Sequence, residues 1–370
     1  MFATNLQRWG YQHILKPLFF RCDPEWTHDR ICAIGEWLGR RRFTRSLTQK
    51  MCAFSHPGLE QDIGGIHFSN PVGLTEGFDK NAHLTQITPS VGFGYEIVGS
   101  VTADPCEGNA KPRLWRLPKS KGLVVYYGLK NDGVGEIRYR LSSKKSTIPL
   151  GVSIAKTNSR HTVETHAGIE DYVRGFRAMK DQGDFHVINI SCPNAYGGEP
   201  FSDAKRLEQL LTALDTVHSN KPFFLKIAVD LTTAELDTLI SVMDRHRVQG
   251  MILSNLTKKY DRSGVVQEEI RNGMKGGISG RPTFEASNAL IAHAYLQAGD
   301  RYVIIGVGGI FTAKDAYEKI RQGASLVQLA TGMIFEGPQL IGEINRGLVD
   351  LLHRDGFETI AQAVGSAHRE

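Results

Sequence analysis

The chain has 370 residues, of which 41% are hydrophobic and 22% charged. This is the balance of a soluble globular protein, long enough for one large α/β barrel plus an appendage. No apolar run approaches the roughly 20 residues of a membrane span, and no signal-peptide pattern opens the chain. The five cysteines show no C-x-x-C spacing, so neither a disulfide framework nor a metal site is expected, and a reducing cytoplasm is. The formal net charge of +5 is concentrated: residues 1–50 hold nine Lys/Arg against four Asp/Glu, and the remainder is neutral.

Residues 1–50 read as helical. Leu6, Trp9, Ile14, Leu15, Leu18 and Phe19 fall roughly on one face, with Pro17 as a kink or break. Asp23-Pro24 reads as an N-cap followed by proline at the first helical position. The second helix carries Trp26, Ile34, Trp37 and Leu38 on one side. Arg40, Arg41, Arg42 and Arg45 are expected to close it, at the negative end of the helix dipole. The segment either packs wholly on the main domain or leaves an apolar slot open toward a membrane. Its basic, tryptophan-bearing character favours an anionic lipid surface as partner. Nucleic acid is disfavoured, because no reading motif or basic stripe is present.

From about residue 66 short apolar runs alternate with helical patterns. The expected strands are Gly73-Leu74, 95–99, 150–154, 187–190, 223–227, 250–253, 302–307 and 326–329, with helices after most of them. Eight βα repeats predict a (β/α)8 TIM barrel over residues 51–356, with a small N-terminal helical extension (1–50) and a C-terminal tail (357–370). A doubly wound open sheet is the alternative architecture.

Barrel enzymes gather functional groups where strands end. The stretch Val187-Ile188-Asn189-Ile190-Ser191-Cys192-Pro193-Asn194 starts as a buried strand and ends where Pro193 has no N–H to give a sheet. It delivers two amides, a hydroxyl and a thiol to one spot, which suits acid–base or nucleophilic chemistry. Read alone, it is equally a strand end with turn residues and a core cysteine. Lys80 and Lys226 leave apolar strands at the same rim and call for anionic partners. Gly308-Gly309 and Thr331-Gly332, after the last two strands, can offer bare backbone N–H groups to a phosphate.

The motifs Asn70-Pro-Val-Gly-Leu with Gly77-Phe-Asp-Lys80, Gly99-Ser-Val-Thr102, Lys111-Pro-Arg-Leu-Trp-Arg116, Asn189-Ile-Ser-Cys-Pro-Asn194, Gly276-Gly-Ile-Ser-Gly-Arg-Pro282 and Ile304-Ile-Gly-Val-Gly-Gly-Ile310 occur in order over nearly the whole chain. Together with the leading Leu18–His28 segment, they resemble the dihydroorotate dehydrogenases of the membrane-associated, quinone-linked class. The resemblance implies FMN and a role in pyrimidine biosynthesis. The flavin phosphate would sit near Gly308, Gly309 and Thr331, with Lys226 at the pyrimidine edge. Ser100, Ser153, Asn189, Ser254 and Gly280 would line the ring and ribityl chain, and Glu76, Gly77, Lys80 and Ala330 would also lie against the cofactor. Asn189, Asn194, Asn255 and Lys80 would hold dihydroorotate. Cys192 would act as general base while hydride passes to flavin N5, with a basic optimum or a lowered thiol pKa expected. Quinone would enter between the N-terminal helices past His28 and Arg116. The resemblance also implies a peripheral, cytoplasmic-face membrane location, at the inner membrane if the source is bacterial.

The chain departs from the family pattern at several places. Cysteine stands where the quinone-linked class normally carries serine. Val125 and Leu256 replace polar residues that usually contact substrate, Thr75-Glu76 replaces a small apolar pair near the flavin, and Ala330 replaces a tyrosine. Two other readings therefore accompany the first: a related flavoenzyme acting on a different substrate, and a catalytically silent flavin-binding protein.

Overall fold

The computed structural model describes residues 2–369. Met1 and Glu370, the outermost residues of the expected 1–50 segment and 357–370 tail, lie outside the described residues. Eight parallel strands close into a barrel: β1 (Val72–Leu74), β2 (Tyr95–Val101), β3 (Leu150–Ile154), β4 (Phe185–Asn189), β5 (Phe223–Ile227), β6 (Gly250–Leu253), β7 (Val303–Val307) and β8 (Leu326–Leu329). Each strand pairs with its neighbour in sequence, and β8 pairs with β1 through Val327 opposite Val72. These are the eight expected strands. The largest shift is at β4, which starts and stops one to two residues early because Ile190 has already left the sheet. The open doubly wound sheet is excluded.

The strands close because they are apolar on both sides, as a parallel sheet covered by helices requires. One set of side chains faces helices such as Thr165–Met179, Ala204–Asp215 and Phe284–Ala298. The other set fills the barrel with Tyr95, Ile97, Phe185, Val187, Phe224, Ile252 and Ile305. Glycines make room for the rings: a Cβ on Gly73 would lie 2.2 Å from the Tyr95 ring, and one on Gly151 would lie 2.5 Å from Phe185.

The N-terminal segment forms four α-helices among the described residues: α1 (Phe2–Gly10), α2 (Lys16–Arg21), α3 (Pro24–Gly39) and α4 (Arg42–Cys52). A π-helical turn, Tyr11–Leu15, joins the first two just before Pro17, whose missing N–H disturbs the helical ladder. Asp23 caps α3 as expected, accepting from Trp26 N at 2.8 Å. The expected arginine-closed second helix is corrected: extended Arg41 breaks the helix after Gly39, so Arg42 and Arg45 open α4. Leu6, Trp9, Ile14, Leu18, Trp26, Ile34, Trp37 and Phe43 are each about half exposed or more. No helix among the described residues is long and apolar enough to cross a membrane.

Inner contacts bind this segment to the barrel. Buried Glu25 of α3 receives Arg113 in a two-point pair (2.7 and 3.0 Å), with Lys130 at 3.3 Å. Those cations hold the Glu25 carboxyl down to about 2 against the burial that would raise it. Arg113 flanks an antiparallel three-stranded sheet, Leu114–Leu117, Gly122–Val125 and Gly277–Gly280, which stands over the barrel mouth and was not expected from the sequence.

Candidate active site

The carboxyl ends of the barrel strands, the antiparallel sheet and α3 enclose one cleft of about 1300 Å³ of atom-free space, open mouth included. Its wall brings together His28, Glu76, Gly77, Lys80, Ser100, Asn189, Cys192, Asn194, Lys226, Ser254, Asn255, Gly280, Gly308, Gly309, Ala330 and Thr331. Ser153 lies one layer behind, 2.8 Å from Ser100 Oγ, which in turn accepts from Asn189 Nδ2 at 2.8 Å. Arg116 is not on the wall. It donates to Cys22 O at 2.8 Å, and its guanidinium lies 4.8 Å from the Phe20 ring.

At one end of the cleft Gly308 and Gly309 turn with φ of +116° and +72°. A Cβ on either would come within 2.5 Å of Thr283 or Phe284, so only glycine leaves the backbone open there. Beside them Thr331 Oγ1 pairs with Ser279 Oγ at 2.9 Å.

The floor carries polar atoms that find no hydrogen-bond partner among the described residues: Ser254 Oγ and both amide atoms of Gln328. Buried groups of this kind call for a ligand with donors and acceptors. Gln328 was missed in the sequence, although an amide inside the apolar run Leu326–Leu329 is a readable signal.

Also on the floor, Lys226 Nζ lies 2.9 Å from Glu76 Oε1, with both side chains more than nine-tenths buried. The alignment is not that of a hydrogen bond, so Oε1 has none among the described residues, while Oε2 accepts from Thr75 Oγ1 at 2.9 Å. Lys226 also reaches Thr75 Oγ1 at 3.4 Å.

At the other end Asp79 clamps its own turn by accepting from His83 N (2.9 Å) and Leu84 N (2.7 Å). The turn aims Lys80 at His28 Nε2, 2.9 Å away, and over the Tyr127 ring at 4.1 Å. Burial lowers Lys80 to about 8. Burial, then the Lys80 charge, pushes His28 well below its usual range, so its imidazole is neutral at pH 7. Cys192 stands on the same wall, and burial raises its thiol to about 11. A lowered thiol pKa is therefore not what this site provides. Asn194 Nδ2 donates to Val125 O at 2.8 Å, and Asn255 Nδ2 donates to Ser191 O at 2.7 Å, so backbone carbonyls orient both amides. Val125 and Leu256 give this end an apolar surface, and Gly277 makes way for Leu256: a Cβ there would lie 2.5 Å from Leu256 Cβ.

The glycine turns, unpartnered floor groups and apolar flanks fit a polar-edged cofactor with an anionic end.

The family model described as dihydroorotate dehydrogenase matches residues 58–352. The chain is 37% identical over 363 residues to the dihydroorotate dehydrogenase (quinone) of Myxococcus xanthus, covering 96% of this chain and 98% of that protein. It is 36% identical over 357 residues to that of Gloeobacter violaceus, with the same coverage. Among solved structures, the DHODH of Eimeria tenella in complex with ferulenol matches with a TM-score of 0.83 at 28% identity, over 94% of this chain and 96% of that one. The ligand-free form of the same protein gives 0.81, with its whole chain covered.

Proposed function

The chain belongs to the dihydroorotate dehydrogenase family, and we infer from that membership that it is a flavin-dependent, quinone-linked enzyme oxidising dihydroorotate to orotate. The observation that carries this reading is a single cleft with phosphate-ready glycine turns at one end and Cys192, Lys80 and two oriented asparagine amides at the other.

We assign the cofactor as FMN. When bound, it supplies the acceptor for the substrate's hydride and the link to quinone. The amides of Gly308, Gly309 and Thr331 would hold its phosphate. Ser254, Gln328 and Lys226 would meet its polar edge, backed by the Ser153–Ser100–Asn189 chain of hydrogen bonds. Lys80 holds the substrate's carboxylate, and Asn194 and Asn255 bracket its amides. Cys192 in its thiolate form takes the proton from the substrate carbon. Neutral His28 marks the side facing the N-terminal helices, where quinone enters.

Residues 1–50 form the quinone-access segment and sit peripherally on an anionic membrane surface. Support comes from the half-exposed apolar side chains of α1–α4 beside Arg40, Arg41, Arg42 and Arg45. Co-sedimentation with anionic vesicles at low salt tests this.

The purified protein is expected to be yellow, to bleach anaerobically on adding dihydroorotate and to regain colour on adding a quinone analogue. A second reading, a family member with a different substrate, is favoured by one observation: Val125 and Leu256 present apolar surface at the substrate end. Bleaching by another cyclic amide in preference to dihydroorotate would establish it.

A further inference from the structure

The buried pair on the cleft floor has a consequence for the cofactor. Lys226 projects from β5 beside Asn189 of β4, its register partner. Glu76 follows β1 across the barrel mouth. Thr75 Oγ1 bonds the carboxylate and reaches the ammonium, so one hydroxyl holds both members in place. Both side chains are more than nine-tenths buried, where charges are weakly screened and a lone cation would be felt strongly. Lys80, another lysine on the wall, is matched differently, to a neutral imidazole and the face of a ring.

We propose that Glu76 is a tuning residue of the cofactor cavity: by pairing with Lys226 it withholds that lysine's charge from the flavin and sets the bound cofactor's reduction potential low. This rests on the FMN assignment above. A flat cofactor anchored at Gly308–Gly309 and reaching toward Cys192 must cross the floor where the pair lies. Reduction adds negative charge to the cofactor. An uncompensated Lys226 would stabilise that charge, whereas a Lys226 with a carboxylate at 2.9 Å stabilises it far less. The same arrangement leaves Lys80 as the cation that draws an anionic substrate, keeping the two lysines' tasks apart.

The test is a potentiometric titration with mediator dyes on FMN-loaded protein, comparing the unaltered chain with Glu76→Gln, which keeps size and the Thr75 contact. The expected result is a shift toward the reduced cofactor of at least tenfold in the equilibrium constant, about 30 mV for two electrons. Lys226→Gln should lower the potential more in the Glu76→Gln background than in the unaltered chain. Should Glu76→Gln not fold, Glu76→Ala takes its place and must shift the equilibrium constant at least tenfold in the same direction, and by less when Lys226 is also replaced by Gln. A yellow variant whose equilibrium constant moves less than twofold overturns the proposal while leaving the FMN reading intact. Protein that cannot be loaded with FMN overturns both.

Discussion

Burial places the Cys192 thiol near 11, a value the Lys156 ammonium lowers and the Glu199 carboxylate raises. If the thiolate is the base, the fraction competent at pH 7 is on the order of one in ten thousand, against a few per cent for an unperturbed thiol near 8.5. Because the deprotonated form is the active one, the rate must climb as pH rises. The assay is anaerobic stopped-flow reduction of the bound flavin at saturating dihydroorotate. Its first-order rate should increase about tenfold per pH unit from 7 to 10 and bend only near 11. Glu199→Gln removes the charge that raises the thiol and should move the bend down. Lys156→Met should move it up, since Lys156 sits beside the same loop and donates to Tyr196 O at 2.8 Å. Cys192→Ala should cost about 10²–10⁴-fold and lose the slope. A rate that levels off by pH 8, or an alanine variant with unchanged rate, would refute the base assignment.

The pair of Glu25 with Arg113 should matter to the docking of the N-terminal helices. Arg113→Ala leaves the buried Glu25 carboxylate with only Lys130 at 3.3 Å and Lys111 at 3.6 Å among the described residues, and is expected to cost about 3 kcal/mol, measured by urea unfolding together with protease sensitivity of residues 1–50. Because the Glu25 pKa is depressed, its contribution is complete above about 4.5 and lost as pH falls toward 2. Lys319 is fully buried, bonds only Ser287 Oγ and Asn288 Oδ1 among the described residues, and is lowered by burial to about 7. The folded state thus favours the neutral amine, and stability should rise by about 2 kcal/mol between pH 7 and 9. Denaturant titrations of Lys319→Met should lack that rise. Val125→Asn and Leu256→Thr should each lower KM for dihydroorotate by roughly 2–10-fold, the worth of about 0.5–1.5 kcal/mol per added polar contact. Unchanged KM in both would favour the reading with a different substrate.

The barrel was legible because each strand is a short apolar run ended by polar or glycine residues, a pattern local to five or six positions. The antiparallel sheet was not. Gly277 pairs with Val125 about 150 residues away, and Leu114–Leu117 is a four-residue Leu-Trp-Arg-Leu stretch too short to show a strand period. The same distance hid the partner of Glu76. An acidic residue after β1 was conspicuous in the sequence, but nothing near position 76 announces that Lys226 lies 2.9 Å away. The break at Arg41 was hidden differently, since a run of arginines suits either end of a helix until the backbone is seen to extend.

The imidazole that meets Lys80 belongs to α3, outside the barrel. A shortened form beginning near residue 53, convenient to purify, would therefore lose more than the proposed route to quinone. It would strip the amine of its only hydrogen-bond partner among the described residues, open that flank to water and let the ammonium regain full charge. Substrate kinetics measured on such a fragment would describe a differently charged pocket, so the two half-reactions of this protein share a wall and need to be studied on the intact chain.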